Sequence, residues 1–263
     1  MTTNTISLTP SRERGWKMGL GNMLAKENVA WWRTRRWWTQ CLVAMFFLNF
    51  LMALNLSGFG SVNNAITTFL MVEGMVASIA AIILGQDAIQ VERTSGTAAW
   101  VLSKPLRRPA FILSKLIAYA LGFLVTWFII PGAVAYLELA VIARMYIPLP
   151  GFVGMLGLAY LSLLFYMTLA MMLTTLFQGR GPVLGITIFL AWAYMITPLG
   201  VLLSDVMPWR LVCDLGKNGA LSSLGKYLWQ GFPLSTVTPI IATAAWCVLF
   251  IGVALWRFRR EEF

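Results

Sequence analysis

A carboxylate set in an apolar run, Glu73 in FLMVEGMVAS, can hold and release a proton or balance a passing cation. An ionised acid at the centre of a membrane helix costs about 2.5–3.5 kcal/mol on insertion scales, so the side chain must face protein or water, be paired, or carry a proton. Glu73 is therefore a candidate for a translocation path. The competing reading makes it a buried hydrogen-bonding residue between helices, with Ser, Thr and Asn as partners. A second acid, Glu138, lies near an interface and could pair with Arg144. The remaining charge of the middle of the chain falls in one polar, basic stretch, QDAIQVERTSGTAAWVLSKPLRRPAFILSK, from Gln86 to Lys115. There Trp100, Val101 and Leu102 form an apolar cluster with no core of their own to join, which points to a partner surface.

Several chemistries are excluded. The chain has no histidine, so Ser-His-Asp hydrolysis, His-ligated metals and His proton relays cannot be built from it alone. The nearest approach to a phosphate-binding loop, GALSSLGKY from Gly219 to Tyr227, has five residues between its glycines instead of four, and a Tyr where Ser or Thr would hold magnesium. No catalytic residues, metal site or resident cofactor are expected. Cys41, Cys213 and Cys247 are far apart and without ligand spacing, and buried small hydrophobes are expected rather than a disulfide.

The elements that must position these residues are membrane helices. Hydrophobic residues make up 59% and charged residues 11% of the 263, with mean hydropathy +0.76, far from the about 25% charged of soluble domains. Six segments approach the roughly 20 apolar residues that span a bilayer: 38–56, 65–84, 111–134, 152–177, 182–203 and 236–256. The third either continues past Pro131-Gly132 towards Ile142 or is kinked or ended by that pair. Lys and Arg number seven before the first span, five in Gln86–Lys115, one at Arg180 and three at the C-terminus, against four in the alternate connections. The positive-inside rule then places both ends in the cytoplasm. The net charge of +10 needs no nucleic acid, because topology and anionic lipid headgroups account for it.

Ahead of the first span, KENVAWWRTRRWW interleaves Trp31, Trp32, Trp37 and Trp38 with Arg33, Arg35 and Arg36, the composition of an interfacial anchor or helix. A secretory signal is not expected. The connection 204–235, bracketed by Pro208 and Pro233, carries Leu221, Leu224 and Leu228 at helical spacing and is expected to form short helices at the outer leaflet. Gly181 and Gly185 form a GxxxG pattern that permits close helix approach, within a subunit or across a dimer.

Within the polar stretch, residues 92–97 are expected to form a turn or helix start and 97–103 a short helix that Pro105 ends. Glu92-Arg93-x-Ser95-Gly96-Thr97, followed by Leu102, Pro105, Arg108 and Lys115, resembles the first cytoplasmic loop of type-2 ABC transporter permeases. Those loops read E-x-x-x-G-T, a leucine-rich turn, P-x-x-R, and a Lys entering the third helix. The tail from Phe258 to Phe263, the basic aromatic helix and the long outer connection are similar to the family's tail, elbow helix and outer re-entrant helices. The resemblance implies an all-α membrane protein of six spans: an elbow in 1–37, a transmembrane domain in 38–256 with a coupling loop at 86–110, and a tail at 257–263. It also implies a separate ABC ATPase, two copies per complex, that carries ATP and magnesium and docks on Glu92, Arg93, Gly96, Thr97, Trp100, Leu102, Pro105 and Arg108. A second permease subunit, membrane lipids and a hydrophobic or amphipathic cargo for export complete the implied partners, in a prokaryotic cell membrane. Two rivals stand beside it: a proton-coupled transporter using Glu73, and a relay of ATPase motion to an extracytoplasmic partner.

Overall fold

Proline, polar turns and hydropathy divide the chain into helices throughout. The computed structural model describes residues 15–58, 60–96, 106–145, 147–217 and 220–260, without the side chains of Trp16 and Thr197. Among these, five helices are long and apolar enough to cross a membrane: α2 (Arg36–Ser57), α3 (Val62–Thr94), α4 (Arg108–Val141), α5 (Leu149–Leu176) and α10 (Thr238–Arg259). A preceding helix, α1 (Leu20–Trp32), leads into α2. No strand occurs among the described residues; one isolated backbone pairing joins Leu215 and Leu221.

The expected fifth span, 182–203, differs from expectation. It forms a helix, α6 (Arg180–Met195), then a break at Ile196 with ψ 92° and a short helix, α7 (Thr197–Leu202). The cause is Pro198, whose ring would collide with the carbonyl four residues earlier and which has no N–H to donate. At 1.5 Å per residue α6 is about 24 Å long, short of the about 30 Å hydrocarbon core.

Of the two readings of Pro131-Gly132 the structure takes continuation: α4 does not end there but runs on to Val141. A π-helical turn, Leu124–Ile129, precedes the proline, and Asn49 Nδ2 donates to the Pro131 carbonyl at 2.9 Å. The wider turn absorbs the disturbance, and Asn49 adds a bond from α2 to the proline's own carbonyl. Similar π turns lie at Met45–Phe50 in α2 and Glu73–Ala77 in α3.

At the centre stands α5, 72% of whose apolar window is buried. It is apolar all round, as a helix surrounded by others must be, and α3, α10, α6 and α9 (Leu224–Trp229) pack against it. The 204–235 connection folds over one end of the bundle. Its short helices α8 (Trp209–Val212) and α9 bury Trp209, Leu211, Leu224 and Trp229, and the Ser223 hydroxyl caps α9 by accepting from the Lys226 N–H. All three cysteines are free. Burial pushes the Cys213 thiol up to about 12, which leaves it unreactive at neutral pH.

Candidate functional site at the charged base of the bundle

The end of the bundle that bears the 86–115 stretch, called the base below, gathers side chains from every part of the chain. Its node is Lys115, about two helical turns into α4 and only 3% exposed. Its Nζ lies 3.0 Å from Glu27 Oε1 of α1 and 2.8 Å from Glu92 Oε1 in the last turn of α3. Lys26 adds a fourth charge 3.2 Å from Glu92 Oε1. A buried ammonium is tolerated only when paired and hydrogen-bonded, and here the pairing ties three elements at one point. Truncating one member strands the others, which is why such pairs fix geometry even where their net stabilisation is small.

Around this node, helix ends are clamped to neighbouring helices. Arg93 Nη1 donates to the Thr174 carbonyl at 2.7 Å and more weakly to that of Phe177 at 3.4 Å. Gln90 Nε2 donates to the Gln178 carbonyl at 2.7 Å. These are carbonyls of the last turn of α5 and just beyond, which have no partner within their own helix, and a cation there also complements the helix dipole. Asp87 pairs with Arg180 at the start of α6, 3.3 Å apart. On the other side Arg108 Nη1 donates to the Arg259 carbonyl at 2.7 Å, ending α10 in the same way, and Phe111 stacks on Phe258 with centroids 5.4 Å apart.

Of the residues expected to dock a partner, Glu92, Arg93 and Arg108 thus hold the two ends of the polar stretch to the bundle. Residues 92–94 are not a helix start: they are the final turn of α3, which runs ten residues beyond the expected span. Gly96 follows with φ 72°, the left-handed conformation that commonly terminates a helix and that glycine adopts without penalty. Thr97, Trp100, Leu102 and Pro105, with the short helix expected at 97–103, lie outside the described residues.

The aromatic, arginine-rich segment divides in two. Trp31 does not face an interface: it is 2% exposed, edge-on to Tyr119 with centroids 5.5 Å apart and tilted on Phe123 at 5.8 Å. It fills the space that Gly122 leaves on α4, where a Cβ would collide with the indole. Trp32, Arg33, Arg35 and Arg36 are exposed and Trp37 is half-buried, while Arg36 Nη1 also donates to Tyr119 Oη at 3.1 Å. Glu27 had escaped sequence reasoning. Met23, Glu27 and Trp31 recur every four residues and are the buried residues of α1, a stripe hidden from a hydropathy reading because its middle member is an acid.

Glu73 sits in the π turn of α3, 2% exposed, and neither carboxylate oxygen has a hydrogen-bond partner among the described residues. Gly74 beside it packs against Val212 and Cys213 of the folded-over connection. Glu138 does not pair with Arg144. Around Gly181 and Gly185 there is open space where a Cβ would sit, so no close helix approach occurs there among the described residues. The described residues hold no cluster of His, Cys, Asp and Glu suited to a metal.

A search of curated proteins returns no match. The family model for ABC-2 family transporter proteins matches residues 23–263, beginning inside α1 and taking in the whole base, the bundle and the folded-over connection. With that match and its multiple apolar helices, the chain belongs to the ABC-2 transporter family, as a multi-pass permease subunit of an ABC transporter.

Proposed function

We propose that this permease couples ATP hydrolysis by a separate ATPase to export of a hydrophobic or amphipathic cargo. The base faces the cytoplasm with both chain termini, and α6 with α7 supplies a sixth span. The 86–110 stretch is the docking element, with Glu92, Arg93, Gly96, Thr97, Trp100, Leu102, Pro105 and Arg108 in contact with the ATPase or setting the element's pose. Two permease subunits meet two ATPase subunits, which carry ATP and magnesium. Trp32, Arg33, Arg35, Arg36 and Trp37 hold α1 at the headgroup layer, and Gly181 and Gly185 lie on a face available to the second permease.

The observation that carries this reading is the Lys115 node. A push on the 97–105 segment reaches α3 at Glu92 and α4 at Arg108, and the buried Lys115–Glu92 and Lys115–Glu27 pairs make α1, α3 and α4 move together. Arg93 passes the displacement to α5, and Arg108 passes it to α10. Rigid pieces joined by directional contacts suit alternating access, in which ATP shifts the population between two arrangements of the bundle.

Affinity purification from native membranes in mild detergent, with mass spectrometry of the companions, tests the proposal. A Walker-containing ATPase accompanies the wild type and is lost from a Gly96→Pro, Leu102→Asp variant of unchanged melting temperature. Purification of intact chain with no ATPase sinks it. The buried, unpartnered Glu73 favours one alternative, proton coupling. That reading requires uptake into vesicles driven by a proton gradient without ATP and abolished in Glu73→Gln.

A further inference from the structure

Between α4 and α5, in the half of the bundle remote from the base, runs an apolar trough of about 590 Å³. That volume is within the about 300–1,000 Å³ usual for ligand sites. Its walls are the stretch from Leu124 to Leu137 on α4 and from Leu149 to Tyr160 on α5. Two aromatic pairs bridge the helices along it, Tyr136 with Phe152 at 5.4 Å and Phe128 with Tyr160 at 5.2 Å between centroids. Between the pairs, Gly132 lets Leu156 come close, while Gly157 leaves open space where a side chain would stand.

The trough offers carbon only. Both tyrosine hydroxyls are engaged elsewhere: Tyr136 donates to the Ile147 carbonyl and Tyr160 to that of Ala120, each at 3.0 Å. From Leu124 to Leu137 α4 rises about 20 Å, somewhat more than the about 15 Å that one leaflet contributes to the hydrocarbon core. The Tyr136–Ile147 bond also ties Ile147, in the turn between α4 and α5, to the α4 wall of the trough. In that turn stands Arg144, exposed, at φ 51°, with no ion pair or hydrogen bond among the described residues. A concave apolar channel somewhat longer than one leaflet's depth, its two walls joined by a turn that carries an exposed guanidinium, matches a molecule that has an acyl chain and an anionic head.

We propose that this trough binds a membrane phospholipid, with an acyl chain laid along Gly132 and Gly157 and the phosphate on Arg144. The leaflet this corresponds to, the outer one, rests on the orientation proposed above; the site does not. Neither depends on an ATPase, so the test contains none and its failure leaves the coupling proposal standing.

The full chain is reconstituted in nanodiscs with phosphatidylglycerol carrying a diazirine on one acyl chain, irradiated, and its labelled peptides mapped by mass spectrometry. Label concentrates on 124–137 and 149–160. Gly157→Phe, which fills the open space, removes most of it, and Gly157→Leu serves if the larger variant melts early. Arg144→Gln lowers the label about fivefold, the weight of one basic side chain beside an anionic headgroup, and leaves unchanged the label from a neutral diacylglycerol carrying the same diazirine. Label spread evenly over the lipid-facing helices, or unaltered in a folded Gly157 variant, overturns the proposal. So do disulfides between copies at Leu137→Cys or Val153→Cys, which would make a second copy of the chain the occupant.

Discussion

The two ends of the bundle are held together by different physics. At the base, contacts are directional and cross long stretches of sequence: Lys115 with Glu27 and Glu92, Arg93 with the end of α5, Arg108 with the end of α10. At the opposite end, α8 and α9 are held mainly by burial of Trp209, Leu211, Leu224 and Trp229, with neutral hydrogen bonds from Trp209 to the Leu190 carbonyl and from Gln230 to Asn63. Charged groups there pair locally, Asp214 with Lys226 and Asp205 with Arg210. Among the described residues, ion pairs that join distant parts of the chain occur only at the base. Directional contacts fix helices in one relative pose and pass displacement on. Apolar packing is non-directional and can seal the far end while adjusting to movement.

The sharpest attempt to break this contrast removes the node. Lys115→Met removes the buried cation between two carboxylates, leaves them the exposed Lys26, and should destabilise the chain by about 3 kcal/mol, read as a lowered melting temperature in mild detergent. Adding Glu27→Gln and Glu92→Gln should restore much of the loss, since a neutral site needs no partner. An unaltered melting temperature in the single variant would show that the base is not held ionically. Next comes Trp31→Ala, which empties the pocket against Gly122, Tyr119 and Phe123 and should cost about 3 kcal/mol. If instead it changes only lipid affinity, α1 is merely an anchor.

Arg93→Ala removes the clamp on α5, worth about 1.5–3 kcal/mol for charged hydrogen bonds. Beyond stability, it sharpens the comparison in the complex with its ATPase: nucleotide turnover should persist while transport falls, and equal loss of both would argue against a transmitting role. At the opposite end, Lys226→Met should cost only about 1 kcal/mol or less. Arg210→Ala, facing the exposed Asp205, should fall within about 0.5 kcal/mol of wild type. Denaturant melts of both variants check these values, and an outer loss as large as that of Lys115→Met would erase the contrast.

Much of the fold could be read directly. Five of the six expected spans appear within a few residues at most ends, because the length of an apolar run is a local property that the bilayer alone interprets. The errors fall where polar residues continue a helix or where proline acts at a distance. The apolar window of α3 stops near Leu84, but the helix persists to Thr94 because Gln86, Gln90 and Arg93 find partners on α5 and beyond. Pro198 divided a segment that hydropathy alone read as continuous, whereas Pro131 did not end its helix, since a π turn accommodates it.

The site was less legible. Glu92, Arg93, Arg108 and Lys115 stood out as charges in an apolar sequence, but nothing along the chain linked them to Glu27, Thr174 or Arg259. Composition and the spacing of apolar runs determined that this is a membrane protein, where five of its spanning helices lie, and where its cations gather. These follow from transfer of each segment between water and lipid, which needs no knowledge of neighbours. Which charges are buried, which carbonyls they cap and which glycines face open space were decided only by the tertiary structure. The cost of a buried charge depends on the side chain opposite it, and that neighbour is set by how the helices pack.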